Sequence, residues 1–118
     1  YRREALHAGS WYDNDAKSLG EKLEGLLSKV DQSSVTAASQ LRGLIVPHAG
    51  YSYSGPTAAY AFHALKQELQ KKTNSPIKRI LILHPSHHVY QSGCAVSGAD
   101  KLATPVGDLI VDDDLRRE

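Results

Sequence analysis

Two histidines with metal-binding or acid–base potential follow short apolar runs, and each has a proline just before it. His48 comes after residues 44–46, and His87 comes after residues 79–83. Imidazole is the commonest protein ligand for transition metals and exchanges protons near neutral pH. We therefore predict that His48 and His87 share a metal or catalytic site whose remaining ligands come from elsewhere. The alternative is that both rings only hydrogen-bond to backbone groups at the edge of a sheet.

Four aromatic residues lie in the N-terminal turn or just after the first histidine in the sequence. They are Trp11, Tyr12, Tyr51 and Tyr53. Such side chains can form a wall that stacks on a ring substrate or a tyrosyl side chain, with ordinary packing as the alternative. Free N–H groups at the start of the helix expected after Gly55 favour a carboxylate or phosphate. The hypothesis is a cleft for an aromatic anion, and it requires Trp11 and Tyr53 to point toward His48.

The other histidines are weaker candidates. His88 is expected to point away from His87 if the segment is extended, and its role is interpreted as structural. His63 lies beside an apolar helical stripe and is interpreted as a packed or surface residue, whereas His84 has only its position near the cleft. His7 reaches the site only if the N-terminal turn folds over it.

Regular secondary structure must position these side chains. The apolar runs 44–46 and 79–83 predict two strands that are covered on both faces. Between them, Pro56 fits the first position of a helix that is capped by Gly55 and extends to about Lys72. Strand, helix and strand in this order predict a βαβ unit with parallel strands.

The carboxyl ends of parallel strands share one edge of the sheet. That edge is where open α/β sheets bind ligands, because loops and helix N-termini form a polar crevice there. Neighbouring strands are ~4.8 Å apart, so side chains just beyond both ends can reach one point. We expect His48 and His87 to meet at this edge.

Further elements flank this unit. Leucines at helical spacing predict an amphipathic helix of about four turns, with Asp13 or Asp15 as its cap. Residues 109–111 predict a brief strand, and the aspartates before Leu115 predict the first turn of another helix. Because that helix would begin at the end of the sequence, more protein is expected after Glu118.

Composition excludes several classes of protein. The 118 residues are 41% hydrophobic and 23% charged, as in an ordinary globular domain. A net charge of +1 from interspersed acids and bases provides no basic patch for nucleic acid. No apolar run approaches the ~18 residues of a membrane span, and no signal peptide is evident. With a single cysteine, Cys94, the chain is expected to be cytoplasmic.

Four short motifs resemble, in the same order and with similar spacing, those of the Memo family, whose name denotes a mediator of receptor-driven cell motility. They occupy residues 7–12, 47–55, 85–89 and 104–105. The family is similar in fold to the class III non-haem iron extradiol dioxygenases. The resemblance implies an α/β protein, a three-layer α/β/α domain with a central, mostly parallel sheet, of which residues 1–118 are the N-terminal portion.

The resemblance also implies roles for particular residues. His48 and His87 match two metal-ligating histidines, for Fe(II) or copper, whose third ligand is a cysteine downstream of this sequence. Cys94 follows His87 too closely to be that cysteine. Trp11, His48, Tyr53 and His87 match positions that line a pocket for a phosphotyrosine-containing receptor peptide.

Two functions are compatible with this resemblance. One is a binding module in signalling and cell motility that recognises a phosphotyrosine peptide or a small aromatic ligand. The other is a metal-dependent redox enzyme, or an extradiol-type dioxygenase that acts on an aromatic substrate. A thiolate ligand favours softer metals such as copper over the metals that a carboxylate set selects. We therefore favour the interpretation that this is a metal-binding, Memo-like protein. No residue is assigned a catalytic role.

Overall fold

The chain combines helices with a small sheet in the computed structural model, which describes residues 1–35, 41–71 and 77–117. The elements in chain order are β1 (Arg2–Arg3), α1 (Ala16–Ser28), a 3₁₀ turn (Gln32–Ser34), α2 (Tyr51–Leu69), β2 (Lys101–Leu102), β3 (Leu109–Ile110) and α3 (Asp113–Arg117). The fold class is α/β, as predicted. Within the described residues, none of the helices has both the length and the apolar character needed to cross a membrane.

The first helix, α1, forms where the leucine spacing predicts it. Of the two candidate caps, Asp15 is the N-cap, since its carboxylate accepts a 2.8 Å hydrogen bond from the Ser18 N–H. Asp13 instead accepts from the Ser18 hydroxyl at 3.0 Å. Leu19 within the helix and Val30 just after it are buried. The apolar stripe of α1 therefore contributes to the small core of these residues.

The second helix, α2, begins at Tyr51, upstream of the predicted start at Pro56. The Tyr51 N–H donates a 2.9 Å hydrogen bond to the Trp11 carbonyl oxygen. A first-turn N–H has no acceptor within its own helix, and here a distant loop supplies one. Gly50 is the N-cap residue and Pro56 lies inside the helix, so the prediction of Gly55 as the cap is wrong.

Gly55 instead marks a close approach between α2 and α1. A Cβ atom at this position would lie 2.8 Å from Leu26 Cδ1, which is closer than real Cβ atoms come to their neighbours. Both Gly55 and Ala59, one turn later, are buried. The helix ends at Leu69, and the predicted end near Lys72 lies outside the described residues.

The three-stranded sheet has the order β1-β2-β3. β1 is parallel to β2, with Arg2 opposite Lys101, and β2 is antiparallel to β3, with Lys101 opposite Ile110. The predicted strand at 109–111 is confirmed as β3, and the predicted helix that follows it is confirmed as α3. The strand β1 was not predicted, because its two residues are both arginines without apolar alternation.

An ion pair joins β1 to the turn before β3. The Arg2 guanidinium donates from Nε and Nη2 to the two carboxylate oxygens of Asp108, both at 2.9 Å. These hydrogen bonds lower the pKa of Asp108, and the positive charges of Arg2 and Lys101 add to the effect. The same pair raises the pKa of Arg2.

The predicted strands at 44–46 and 79–83 are not observed. In the parts of the chain that the structure describes, neither segment pairs with a neighbour, so the predicted βαβ unit is not formed. Ile45 is 101% exposed, and the side chains from Ile80 to Leu83 are 61% to 82% exposed. An apolar run becomes a buried strand only where neighbours pair with its backbone and other layers cover its faces. The described residues provide neither.

Candidate functional site

The rings of His48 and His87 lie together although the two residues are 39 positions apart in the sequence. Their Nε2 atoms are 3.2 Å apart, and the ring centroids are 5.3 Å apart with a tilt of 31°. One ring can donate an N–H to the other at this distance, depending on the tautomers. Two nitrogens bound tetrahedrally to a metal at ~2.0–2.1 Å lie about 3.3 Å apart. The pair therefore also fits two ligands of one metal ion.

A cleft of about 490 Å³ includes this histidine pair. The four residues predicted to bind a ligand, which are Trp11, His48, Tyr53 and His87, all line it. Ser10 and the residues at the start of α2 complete its lining. Trp11 is 42% exposed and Tyr53 is 85% exposed. Trp11 and Tyr53 thus border the same cleft as the two imidazoles.

The N-terminal loop holds Trp11 beside α2. The Trp11 N–H donates to the His7 carbonyl oxygen at 2.9 Å, and the Trp11 carbonyl accepts from Tyr51 at 2.9 Å. Gly9 has a φ of +83°, in the left-handed region that glycine tolerates. Its N–H donates to the Tyr12 carbonyl at 2.7 Å and closes the loop. The loop is therefore fixed both to itself and to the helix.

The predicted aromatic wall divides into two pairs. Trp11 and Tyr53 line the cleft, whereas the rings of Tyr12 and Tyr51 contact each other at a centroid distance of 5.3 Å. Burial raises the pKa of the Tyr51 phenol, and the neighbouring Tyr12 raises it further. Tyr12 and Tyr51 thus pack against each other, which is the packing alternative stated for them.

The start of α2 differs from the predicted anion site. The N–H groups of Tyr53 and Ser54 both donate to the Gly50 carbonyl, at 2.9 Å and 3.0 Å, and that of Tyr51 donates to Trp11. Fewer free donors are therefore present than a helix starting after Gly55 would offer. The positive end of the helix dipole still faces the cleft, because Gly50 and Ser52 are among its lining residues.

Ser10 and Ser52 are lining residues that sequence reasoning did not identify. Ser10 precedes Trp11 in the loop, and its hydroxyl donates to the His7 carbonyl at 3.0 Å. Ser52 was missed because the helix was predicted to start later. The only sequence signal for Ser52 is its place in the first turn of a helix. That signal can be recognised only if the helix is predicted to start at Tyr51.

The sequence comparison decides the family. A family model described as Memo-like protein matches residues 3–118. The chain belongs to the Memo-like protein family. The four-motif resemblance is thereby confirmed over nearly the whole sequence.

Several Memo-like relatives have similar levels of identity to this chain. The protein memo-1 homolog of Caenorhabditis elegans is 43% identical over 118 residues, which cover 100% of this chain and 31% of the relative. Protein MEMO1 of Homo sapiens is 44% identical over 110 residues, covering 93% and 33% respectively. The MEMO1 family protein MHO1 of Saccharomyces cerevisiae is 43% identical over 114 residues, covering 96% and 31%. The chain therefore spans about a third of the length of these relatives.

Other side chains of the types that can bind metals do not lie with the histidine pair in the described part of this Memo-like chain. Across the described ranges, no group of three or more His, Cys, Asp or Glu side chains could hold a metal ion. Cys94 is a free, exposed thiol, and His84 Nδ1 lies 3.1 Å from the carbonyl oxygen of Pro85. His63 lines a separate groove between α1 and α2. Within the part of the chain that the structure describes, His48 and His87 thus lie together without a third His, Cys, Asp or Glu side chain that could complete a metal site.

Proposed function

We propose that this Memo-like chain contributes part of a cleft that binds a metal ion and an aromatic anion side by side. The observation that supports this proposal is the 3.2 Å separation of His48 Nε2 and His87 Nε2 inside a cleft with exposed aromatic side chains. The metal is iron or copper, and the ligand is of the phosphotyrosine type. A role in signalling and cell motility is proposed from the family resemblance.

The two imidazoles are the groups that would hold the metal. A bound iron or copper ion would supply Lewis acidity and a redox centre. His48 and His87 would each contribute one neutral nitrogen, which is the form of imidazole that binds metals. The third ligand is proposed to be a cysteine from sequence outside these 118 residues.

The chain's own residues also account for recognition of the aromatic anion. The indole of Trp11 and the phenol of Tyr53 offer faces on which a phenyl ring can stack. The positive end of the α2 dipole favours the negative charge of a phosphate. His48 and His87 can donate N–H groups to the same anion when no metal is bound.

We also propose a larger domain around this cleft. Residues 1–118 would form the N-terminal portion of a single three-layer α/β/α domain with a central, mostly parallel sheet. The exposed apolar runs at 44–46 and 79–83 would be strands of that sheet. Support comes from their exposure and from relatives that are about three times as long as this chain.

Elemental analysis of the full-length protein, purified without oxygen, tests the metal site. We expect near-stoichiometric iron or copper in the wild type and its loss in both His48→Ala and His87→Ala. His88→Ala is the matched control, because His88 is exposed and is not among the cleft residues. Absence of metal from the wild type after loading with either ion would contradict the metal proposal.

Calorimetric titration with phosphotyrosine and tyrosine tests the ligand proposal separately. We expect phosphotyrosine to bind more tightly than tyrosine, and His87→Ala to reduce that difference. Equal affinity for the two ligands would contradict recognition of the phosphate.

A metal-dependent redox reaction is the second candidate function. The observation that favours it is the location of the histidine pair in an open cleft beside aromatic side chains, where a flat substrate has access. Oxygen uptake by the metal-loaded protein in the presence of a catechol, abolished in His48→Ala, would support this candidate. No uptake above that of the free metal would count against it.

A further inference from the structure

The imidazole of His7 stacks on the indole of Trp11. The ring centroids are 4.4 Å apart and the planes differ by 27°. Trp11 lines the cleft that includes His48 and His87, whereas His7 is exposed and is not among the cleft residues. His7 therefore contacts a cleft-lining indole without lining the cleft itself.

Backbone hydrogen bonds hold His7 in this position. Its carbonyl oxygen accepts from the N–H groups of Ser10 and Trp11, at 3.1 Å and 2.9 Å, and from the Ser10 hydroxyl at 3.0 Å. These bonds close a turn that brings the side chains of His7 and Trp11 to the same side. The stack thus follows from the local fold of the N-terminal loop.

The backbone contacts of Trp11 leave the orientation of its indole open. Its backbone is held by the hydrogen bond from Tyr51, but rotation about two side-chain torsions remains. With 42% of the residue exposed, surrounding packing restricts the ring only in part. Among the described residues, His7 is the only ring in contact with this indole.

We propose that His7 is a positioning residue that holds the indole of Trp11 as the flat wall of the cleft, and thereby favours aromatic over inorganic phosphates. This inference rests on the proposed recognition of an aromatic anion. It assigns selectivity for the ring to the stacked pair of His7 and Trp11. The histidine pair and the start of α2 would bind the anionic group itself.

Phenyl phosphate and inorganic phosphate are the two probes that test this selectivity. We expect His7→Leu to weaken binding of phenyl phosphate about three- to tenfold, the range that an aromatic stack accounts for. The affinity for inorganic phosphate should stay unchanged. His7→Phe keeps a flat ring and should retain the wild-type selectivity, whereas His88→Ala serves as a control outside the stack.

A second, spectroscopic experiment tests the order of the Trp11 side chain without any ligand. Trp11 is the single tryptophan, so the tryptophan band of the near-ultraviolet circular dichroism spectrum reports its order. We expect this band to weaken in His7→Leu and to remain in His7→Phe, with unchanged far-ultraviolet spectra. If His7→Leu does not fold, His7→Asn replaces it as the variant without a comparable ring.

Each outcome supports or overturns the proposal. Similar bands and similar selectivities in His7→Leu, His7→Phe and the wild type would overturn it. Equal losses in His7→Leu and His7→Phe would also overturn it, since the ring would not be the cause. If the wild type binds neither phosphate, the proposed aromatic-anion function fails. The near-ultraviolet comparison then still decides whether His7 orders Trp11.

Discussion

The backbone N–H of Tyr51 donates a 2.9 Å hydrogen bond to the carbonyl oxygen of Trp11 and joins the N-terminal loop to the first turn of α2. The bond satisfies a helix N–H that has no acceptor within its own helix. It also places Trp11 beside the residues that line the cleft near His48. A backbone contact between distant segments thus sets both the start of the helix and the wall of the candidate site.

The close approach of Gly55 and Leu26 predicts that Gly55→Ala destabilises the protein. The added Cβ would lie 2.8 Å from Leu26 Cδ1, so the Leu26 side chain must shift, whereas Cδ2 at 3.4 Å and Cγ at 3.7 Å would be in ordinary contact. Overpacking should outweigh the helix propensity of alanine, for a net loss of roughly 1 kcal/mol. Urea unfolding measures this loss.

Gly20→Ala is the matched control for that substitution. Gly20 lies inside α1, and its added Cβ would meet nothing within 4 Å. Alanine there should stabilise the protein by roughly 0.5–1 kcal/mol, because glycine is a poor helix former. Shifts of the two midpoints in the same direction would contradict the close-packing argument.

The N-cap of α1 predicts a difference between neighbouring aspartates. Asp15→Ala removes the acceptor for the Ser18 N–H and should cost about 1 kcal/mol. Asp13→Ala removes a side-chain contact to the same serine, and its ion pair with Lys22 at 3.7 Å is partly exposed. Exposed pairs contribute about 0–1 kcal/mol, so the smaller loss is expected. Chemical denaturation of both variants measures the difference, and a larger loss in Asp13→Ala would contradict this assignment of the cap.

The left-handed conformation of Gly9 predicts that this position discriminates between alanine and asparagine. At a φ of +83°, alanine should cost about 1–2 kcal/mol, whereas asparagine tolerates the region better. The nearest contact of the added Cβ would be Asn14 Cβ at 3.8 Å, so the loss would arise from backbone strain rather than a clash. Thermal unfolding, followed by the fluorescence of Trp11, measures the effect. Equal stability of the two variants would show that strain at Gly9 is unimportant.

The ion pair of Arg2 and Asp108 predicts a pH dependence. Hydrogen bonds from Arg2 hold the pKa of Asp108 below its usual 3.8, so this pair adds stability above that pH. The contribution is lost as the pH falls through the lowered pKa of the folded state. Arg2→Gln should therefore raise the pKa of Asp108 toward 3.8, as measured by carboxyl NMR titration.

Lys101→Gln provides the comparison for Arg2→Gln. Lys101 lowers the pKa of Asp108 through charge alone, and its effect is the smallest of the contributions. Its removal should therefore raise the Asp108 pKa less than Arg2→Gln does. An equal or larger rise would mean that the hydrogen bonds are not the main cause.

The histidine pair was predictable from the sequence, but the strands expected to position it were not confirmed. His48 and His87 were expected to meet at the ends of two parallel strands, and the structure brings their Nε2 atoms within 3.2 Å. The strands themselves are not formed in the described residues. Proline-containing loops at the ends of the apolar runs were the useful signal. Their ligand roles remain predictions that the proposed experiments test.

The sequence by itself determined the features that depend on near neighbours and on family motifs. Leucine spacing and Asp15 place α1, because capping and amphipathic periodicity act within a few residues. Tertiary structure decided the start of α2 and the role of Gly55, through contacts with Trp11 and Leu26. Local patterns do not encode these contacts, because hydrogen bonds and close packing between distant segments exist only once the chain has brought those segments together.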